Sequence, residues 1–151
     1  TGIGNSVGIF TNGTRVLGLG DIGLHAAMPV MEGKAVLYDR FVGLSATPIL
    51  VDTKDPEEFI QTVEKIAPSF GGIHLEDISS PECYRIEDEL NRRLAQPVMH
   101  DDQHGTATVL LAAVLSALRE TGRADDPSLV CGQVGLGAAG FGIARLLLDC
   151  Y

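Results

Sequence analysis

The sequence predicts an α/β fold, a mainly parallel sheet flanked by helices. Two observations predict it. Short apolar runs alternate with segments of helical period along the chain, and one of those segments carries an unbroken apolar face of helical spacing. Strands regularly separated by helices call for a mainly parallel sheet covered on both faces, with right-handed crossovers.

The expected strands are VLGL after Arg15, PILV from Pro48, GIHL from Gly72, PVMH from Pro97 and SLVCGQV from Ser128. Helices are expected over about Leu24–Tyr38, Pro56–Ala67, Glu82–Leu94 and Thr106–Thr121, with a last one starting near Ala138. The second has a three-part start signal: Asp55 as N-cap, Pro56 at the first helical position, and Glu58 three residues after the cap. The fourth places Ala107, Leu110, Leu111, Val114, Leu115 and Leu118 on one face and stops at Gly122. The polar stretch Gly122 to Ser128 then separates that helix from a strand that opens a glycine motif. A domain border is expected there, dividing 1–126 from 127–151.

At 151 residues, with 45% hydrophobic and 21% charged residues, the chain suits one ordinary globular core. Its formal charge of -9 disfavours nucleic acid and anionic membranes as partners. No apolar run approaches the roughly 20 residues of a membrane span, and the first residues carry no basic leader, so the chain reads as soluble. Cys83, Cys131 and Cys150 are odd in number and lack CxxC spacing, which fits a reducing cytoplasm better than a disulfide framework or a structural zinc site.

Ligands of open parallel sheets bind beyond the carboxyl ends of the strands. Glu76 and Asp77 follow GIHL there, Asp101 and Asp102 follow PVMH, and Asp21 lies in the loop expected after the first strand. Carboxylates gathered at one edge repel unless protonated or neutralised, and oxygen ligands suit a hard divalent ion such as Mg²⁺ or Mn²⁺. The competing reading stands beside it at this point: Asp101 or Asp102 caps the helix expected at Thr106, and Glu76 and Asp77 are a solvated pair. The scattered His25, His74, His100 and His104 read as structural, with His100 and His104 near enough to the acids to orient metal ligands. Lys34, one of three lysines, sits in the apolar helical run MEGKAVLY, as either a proton acceptor or a snorkelling surface residue.

GxGxxG occurs twice, at Gly18-Leu-Gly20-Asp-Ile-Gly23 and at Gly135-Leu-Gly137-Ala-Ala-Gly140. In the first, Asp21 would set a negative charge where a pyrophosphate must lie, so it is a poor phosphate cradle. The second has only Leu and Ala between its glycines and runs into FGIARLLL, as the first β-α unit of a Rossmann-type dinucleotide-binding domain does. The residue that would read the ribose, about 20 positions on, falls beyond Tyr151.

The motifs NGTRVLGLGDIG, PVMEGK, GGIHLED and HDDQHGTA, followed by GLGAAG, resemble those of the malic enzymes, closest to the shorter bacterial and archaeal form. The resemblance runs over essentially the whole chain. It implies oxidative decarboxylation of L-malate to pyruvate and CO₂ with NAD or NADP and a divalent Mg²⁺ or Mn²⁺, in a cytoplasmic homodimer or higher homo-oligomer. Carried over by motif, Glu76, Asp77 and Asp102 resemble the metal ligands, and Lys34 the base that takes the malate hydroxyl proton, with Asp101 as its helper. Arg15 resembles the substrate-carboxylate arginine of the larger relatives, which many short forms lack. Gly135, Leu136, Gly137, Ala138 and Gly140 resemble the cofactor phosphate loop.

Two departures accompany the match. The family's catalytic tyrosine belongs to a segment preceding Thr1, and Tyr38, Tyr84 and Tyr151 fit no such motif, so the chain by itself is expected to be inactive. His74 stands where the short forms usually carry Asn. The alternatives to the oxidative reaction are an inactive metal- and dicarboxylate-binding domain and a non-redox decarboxylation of malate to lactate.

Overall fold

The computed structural model describes residues 1–124 and 126–150. They form two compact units, Thr1–His100 and Asp101–Tyr151. The first holds all four strands, β1 (Ser6–Thr11), β2 (Ser45–Leu50), β3 (Gly72–Leu75) and β4 (Val98–His100), with α1 (Met28–Val42), α2 (Pro56–Ile66) and α3 (Glu82–Arg93) between them. The second holds α4 (Asp101–Glu120) and α5 (Ala138–Cys150). The α/β class and the parallel sheet are as the sequence predicts.

The strands are all parallel, in the order β2-β1-β3-β4. Register pairs Thr11 with Leu50, Phe10 with Leu75, and Leu75 with His100. The carboxyl ends of the strands therefore come out along one edge. Side chains alternate across the sheet, so Val7 and Ile9 face one way and pack with Met31 of α1. Gly8 and Phe10 face the other way. There Phe10 meets Phe70 edge-on, with ring centroids 6.0 Å apart, and a Cβ on Gly8 would lie 2.5 Å from the Phe10 ring and 2.8 Å from that of Phe70. α2 and α3 pack on each other, and Phe59, Ile60 and Val63 of α2 and Ile86 and Leu90 of α3 are buried.

Four expectations are corrected. VLGL is not the first strand: SVGIFT is, and Val16–Gly18 forms a 3₁₀ turn in which Leu17 has φ 48° and Gly18 φ 75°. Left-handed residues cannot extend into a ladder, whereas Ser6–Thr11 lies centrally in the sheet and is buried nearly throughout. The apolar content of VLGL was therefore no guide to its pairing.

The strand expected over SLVCGQV is likewise not formed among the described residues, and Val130 and Val134 are exposed. A strand exists only as a ladder with a neighbour, and the second unit supplies none. The fourth helix begins at Asp101, five residues before the expected Thr106. Asp101 and Asp102 are thus first-turn residues, not caps for a helix opening at Thr106. Finally, the first helix opens later than Leu24, because Leu24–Ala27 is a 3₁₀ turn and α1 proper starts at Met28 with Pro29 in its first turn.

The Asp55 start of α2 and the Gly122 stop of α4 do follow their sequence signals. Asp55 accepts a hydrogen bond from the Glu57 amide at 2.8 Å, as the cap signal requires, but Glu58 binds the Thr53 hydroxyl at 2.5 Å, and Thr53 accepts from the Asp55 amide. The reciprocal box is closed through one extra residue. Gly122, at φ 67°, ends α4 with its own amide on the Arg119 carbonyl and the Arg123 amide on that of Leu118, the paired bonds of a Schellman stop. No helix among the described residues is long and apolar enough to cross a membrane.

Candidate active site

In the first unit, the edge where the strands end gathers the PVMEGK and GGIHLED motifs. Glu76 leaves β3 with its amide held by the Phe10 carbonyl at 3.0 Å, and it is 3% exposed. The Nζ of Lys34, from α1, lies 3.0 Å from Glu76 Oε2, with the lysine side chain 26% exposed. Lys34 is therefore no snorkelling residue. It gives a buried carboxylate a polar partner within hydrogen-bond distance.

His74, two residues before Glu76, points from the same face of β3 and places its Nε2 2.7 Å from Glu76 Oε2. Its Nδ1 lies 2.8 Å from the Tyr38 hydroxyl, and the two rings meet edge-on at 5.6 Å. Tyr38 is one helical turn beyond Lys34 on α1, so two side chains of one helix face and two of one strand face close on each other. Sequence reasoning gave Tyr38 no role, noting only that it fits no catalytic-tyrosine motif, and read His74 as structural and as a departure from the usual Asn. The i, i+4 spacing to Lys34 and the i, i+2 spacing to Glu76 were the signals that tie them together.

Asp77 is 1% exposed and adopts φ 54°, unusual for a residue with a side chain. Its Oδ1 accepts from the Leu17 amide at 2.8 Å, and its carbonyl accepts from the Arg15 amide at 3.1 Å. The NGTRVLGLGDIG loop is thereby anchored to the LED motif by its backbone, and the left-handed Leu17 and Gly18 are the conformation that anchoring needs. Arg15 itself is exposed, with its guanidinium in the vicinity of Tyr84. Glu76 and Asp77 are not a solvated pair. Both are buried oxygen donors adjacent in sequence, a donor set that suits a hard divalent cation.

Asp21 stands apart from these acids. It is bound to Lys54 on an exposed loop, and the ammonium beside it holds its carboxyl below the usual aspartate range. His100 serves the fold: it is fully buried, and its amide donates to Glu87 Oε1 at 2.8 Å.

In the second unit, Asp101 and Asp102 occupy the first turn of α4, where carboxylates complement the helix dipole. A Cβ on Gly105 would lie 2.0 Å from Asp101 Oδ1, so the Asp101 carboxylate rests in the space that glycine leaves. The Gly135–Gly140 loop runs directly into α5. Gly135 has φ 97°, and the Gln133 side-chain amide donates to the carbonyls of Gly135 and Gly140 at 2.9 and 2.7 Å. A Cβ on Gly140 would meet the Gly135 carbonyl oxygen at 2.4 Å, and one on Gly142 would meet that of Gln103 on α4 at 2.6 Å. Ala138 is buried at the start of α5, while Leu136 is exposed.

The fold, the buried LED carboxylates and the lysine set against them define a class that comparison with known proteins makes specific. The malic enzyme N-terminal domain model matches residues 4–57 and 53–91. NAD-dependent malic enzyme 1 of Bacillus subtilis is 59% identical over 148 residues, which are 98% of this chain and 34% of that protein. The NADP-dependent malic enzyme of Halomonas elongata is 47% identical over 151 residues, 99% of this chain and 35% of that protein. The crystal structure of malic enzyme from Pyrococcus horikoshii superposes with a TM-score of 0.94 at 48% identity, covering 99% of this chain and 34% of that one. The chain belongs to the malic enzyme family, and it spans about a third of the length of these relatives.

Proposed function

We propose that this chain carries the metal- and substrate-binding part of an enzyme that oxidatively decarboxylates L-malate to pyruvate and CO₂, using NAD or NADP and Mg²⁺ or Mn²⁺. The observation that supports it best is the 3.0 Å contact between Lys34 and the buried Glu76, which joins two motifs distant in sequence into one acid–base cluster. In this reading Glu76, Asp77 and Asp102 are the metal ligands. Asp102 belongs to the second unit and enters by its motif: the chain runs into it from His100, whose strand partner is Leu75, the residue before Glu76.

A divalent ion at such a site supplies Lewis-acid stabilisation of negative charge developing on the substrate oxygens. Lys34 would take the proton from the C2 hydroxyl, with Asp101 assisting the lysine, and a bound nicotinamide would supply the hydride acceptor. Loss of CO₂ from the resulting β-keto acid then leaves pyruvate once a proton reaches C3. Arg15 would pair with a substrate carboxylate, and the backbone of Gly135, Leu136, Gly137, Ala138 and Gly140 would hold the cofactor phosphates at the start of α5. On this reading the border between the substrate side and the cofactor side lies near residue 126. The three free cysteines and the family point to the cytoplasm and to a homodimer or larger homo-oligomer.

The test is malate-dependent NAD(P)H formation, with and without Mn²⁺, by a protein that joins this chain to the remaining segments of a malic enzyme. Turnover should need the metal and yield pyruvate. Lys34→Ala should lower kcat by roughly 10²–10⁴-fold, as loss of a general base does, while Mn²⁺ still binds. Metal-independent turnover, or lactate as the product, would overturn the proposal.

A further inference from the structure

Glu76 accepts twice on the same oxygen: Oε2 takes both Lys34 Nζ at 3.0 Å and His74 Nε2 at 2.7 Å. The tautomer of His74 follows from its partners. A carboxylate only accepts, so Nε2 carries a hydrogen, and in the Nε2–H tautomer Nδ1 accepts from the Tyr38 hydroxyl at 2.8 Å. The result is a chain of four side chains, Lys34 to Glu76 to His74 to Tyr38, whose two ends both stand on α1. His74 and Glu76 are each 3% exposed, so water competes little for these bonds.

A glutamate has three side-chain torsions, and a lysine pairing with it does not by itself fix which oxygen it uses. The imidazole does. It is planar, short and carried by the strand, and Tyr38 holds its orientation from the far side. We propose that His74, oriented by Tyr38, is a positioning residue. It fixes Glu76 Oε2 against Lys34 and so leaves Oε1 as the oxygen presented to a divalent cation. Neither His74 nor Tyr38 touches the reacting atoms. The inference rests on the reading of Glu76 as a metal ligand, and it adds to that reading a reason why Lys34 and the metal do not contend for the same oxygen.

The experiment uses the full chain and two readouts. The first needs no metal: ¹⁵N-resolved NMR of the His74 imidazole should show the Nε2–H tautomer, with Nδ1 shifting in Tyr38→Phe and Nε2 in Glu76→Gln. The second is Mn²⁺ affinity by electron paramagnetic resonance. His74→Ala should weaken it by roughly 10–100-fold, the span seen when a hydrogen-bond partner of a metal ligand is removed, and His74→Gln, whose amide reaches where Nε2 stood, should recover it to within about 3-fold. Tyr38→Phe should weaken binding by less, and adding it to His74→Ala should change nothing further, because residues acting through one another are non-additive.

An Nδ1–H tautomer, or imidazole signals indifferent to Tyr38→Phe and Glu76→Gln, overturns the relay whatever the metal does. So does a His74→Ala chain that binds Mn²⁺ like the parent, or a His74→Gln chain that is folded, with an unchanged Tm, and still no better than His74→Ala. A parent chain whose His74 shows the expected tautomer but whose Mn²⁺ binding is absent, or unaffected by Glu76→Gln, overturns instead the assignment of Glu76 as a ligand.

Discussion

The two GxGxxG loops share a pattern and differ in what their glycines are for. In the first, Gly18, Gly20 and Gly23 all have positive φ, between 75° and 100°, and a Cβ on any of them would meet nothing within 4 Å. These glycines supply backbone conformation, turning the chain back so that Leu17 and Arg15 bind Asp77. In the second, Gly140 has no unusual φ but no room either, since the Gly135 carbonyl occupies the place of its side chain. That glycine supplies close approach, which is what a loop packed against a helix start requires. One sequence pattern thus encodes two physical demands, and neighbouring residues tell which. Asp21, bound to Lys54, marks the first loop as unsuited to an anion, and the Leu and Ala residues of the second leave its amides unopposed by charge.

The largest effect should come from filling the second loop. Gly140→Val sets a branched side chain against a backbone oxygen that cannot rotate away, and should cost about 3 kcal/mol, the upper part of the usual overpacking range. Thermal unfolding and loss of amide protection at the start of α5 would report it. A Gly140→Val chain as stable as the parent would mean that close approach is not what this glycine provides.

Gly18→Ala should cost less, about 1–2 kcal/mol, because only the left-handed backbone is penalised and the side chain enters open space. Chemical denaturation would measure this. A cost equal to that of Gly140→Val would erase the distinction between the loops.

Smallest is Asp21→Asn, which removes an exposed ion pair and should barely alter stability near neutrality. Its signature is in the pH dependence. The Lys54 ammonium lowers the Asp21 carboxyl in the folded chain, so the pair's contribution is present above the ordinary aspartate range and fades as the pH falls through the lowered value. Melting temperatures followed from neutral to acid pH should fall slightly less steeply in Asp21→Asn than in the parent. An unchanged slope would show that the pair contributes nothing.

The helices were the most legible part of the chain, because their signals are local. The Asp55-Pro56 start and the Gly122 stop specify ends whose hydrogen bonds close within a few residues. Strands were legible only where apolar runs coincided with a pairing partner. VLGL and SLVCGQV have the composition of strands, yet one is held left-handed by its glycines and by Asp77, and the other has no neighbour in its unit. SVGIFT has a glycine near its centre and polar residues at both ends, and is nonetheless an interior strand, where Gly8 leaves room for Phe10 and Phe70 to close over it.

The site divides along the same line. Sequence alone determined the family's motifs, the acids after GIHL and PVMH, and a lysine in an apolar helix, since residue types and spacing are written along the chain. Only the tertiary structure decided that Lys34 faces Glu76, that Tyr38 meets His74, and that Asp21 belongs to Lys54 rather than to the acidic cluster. Those are pairings between residues 33 to 42 positions apart. Such contacts form where a parallel sheet brings a helix face over a strand end, and no periodicity within either segment carries that information.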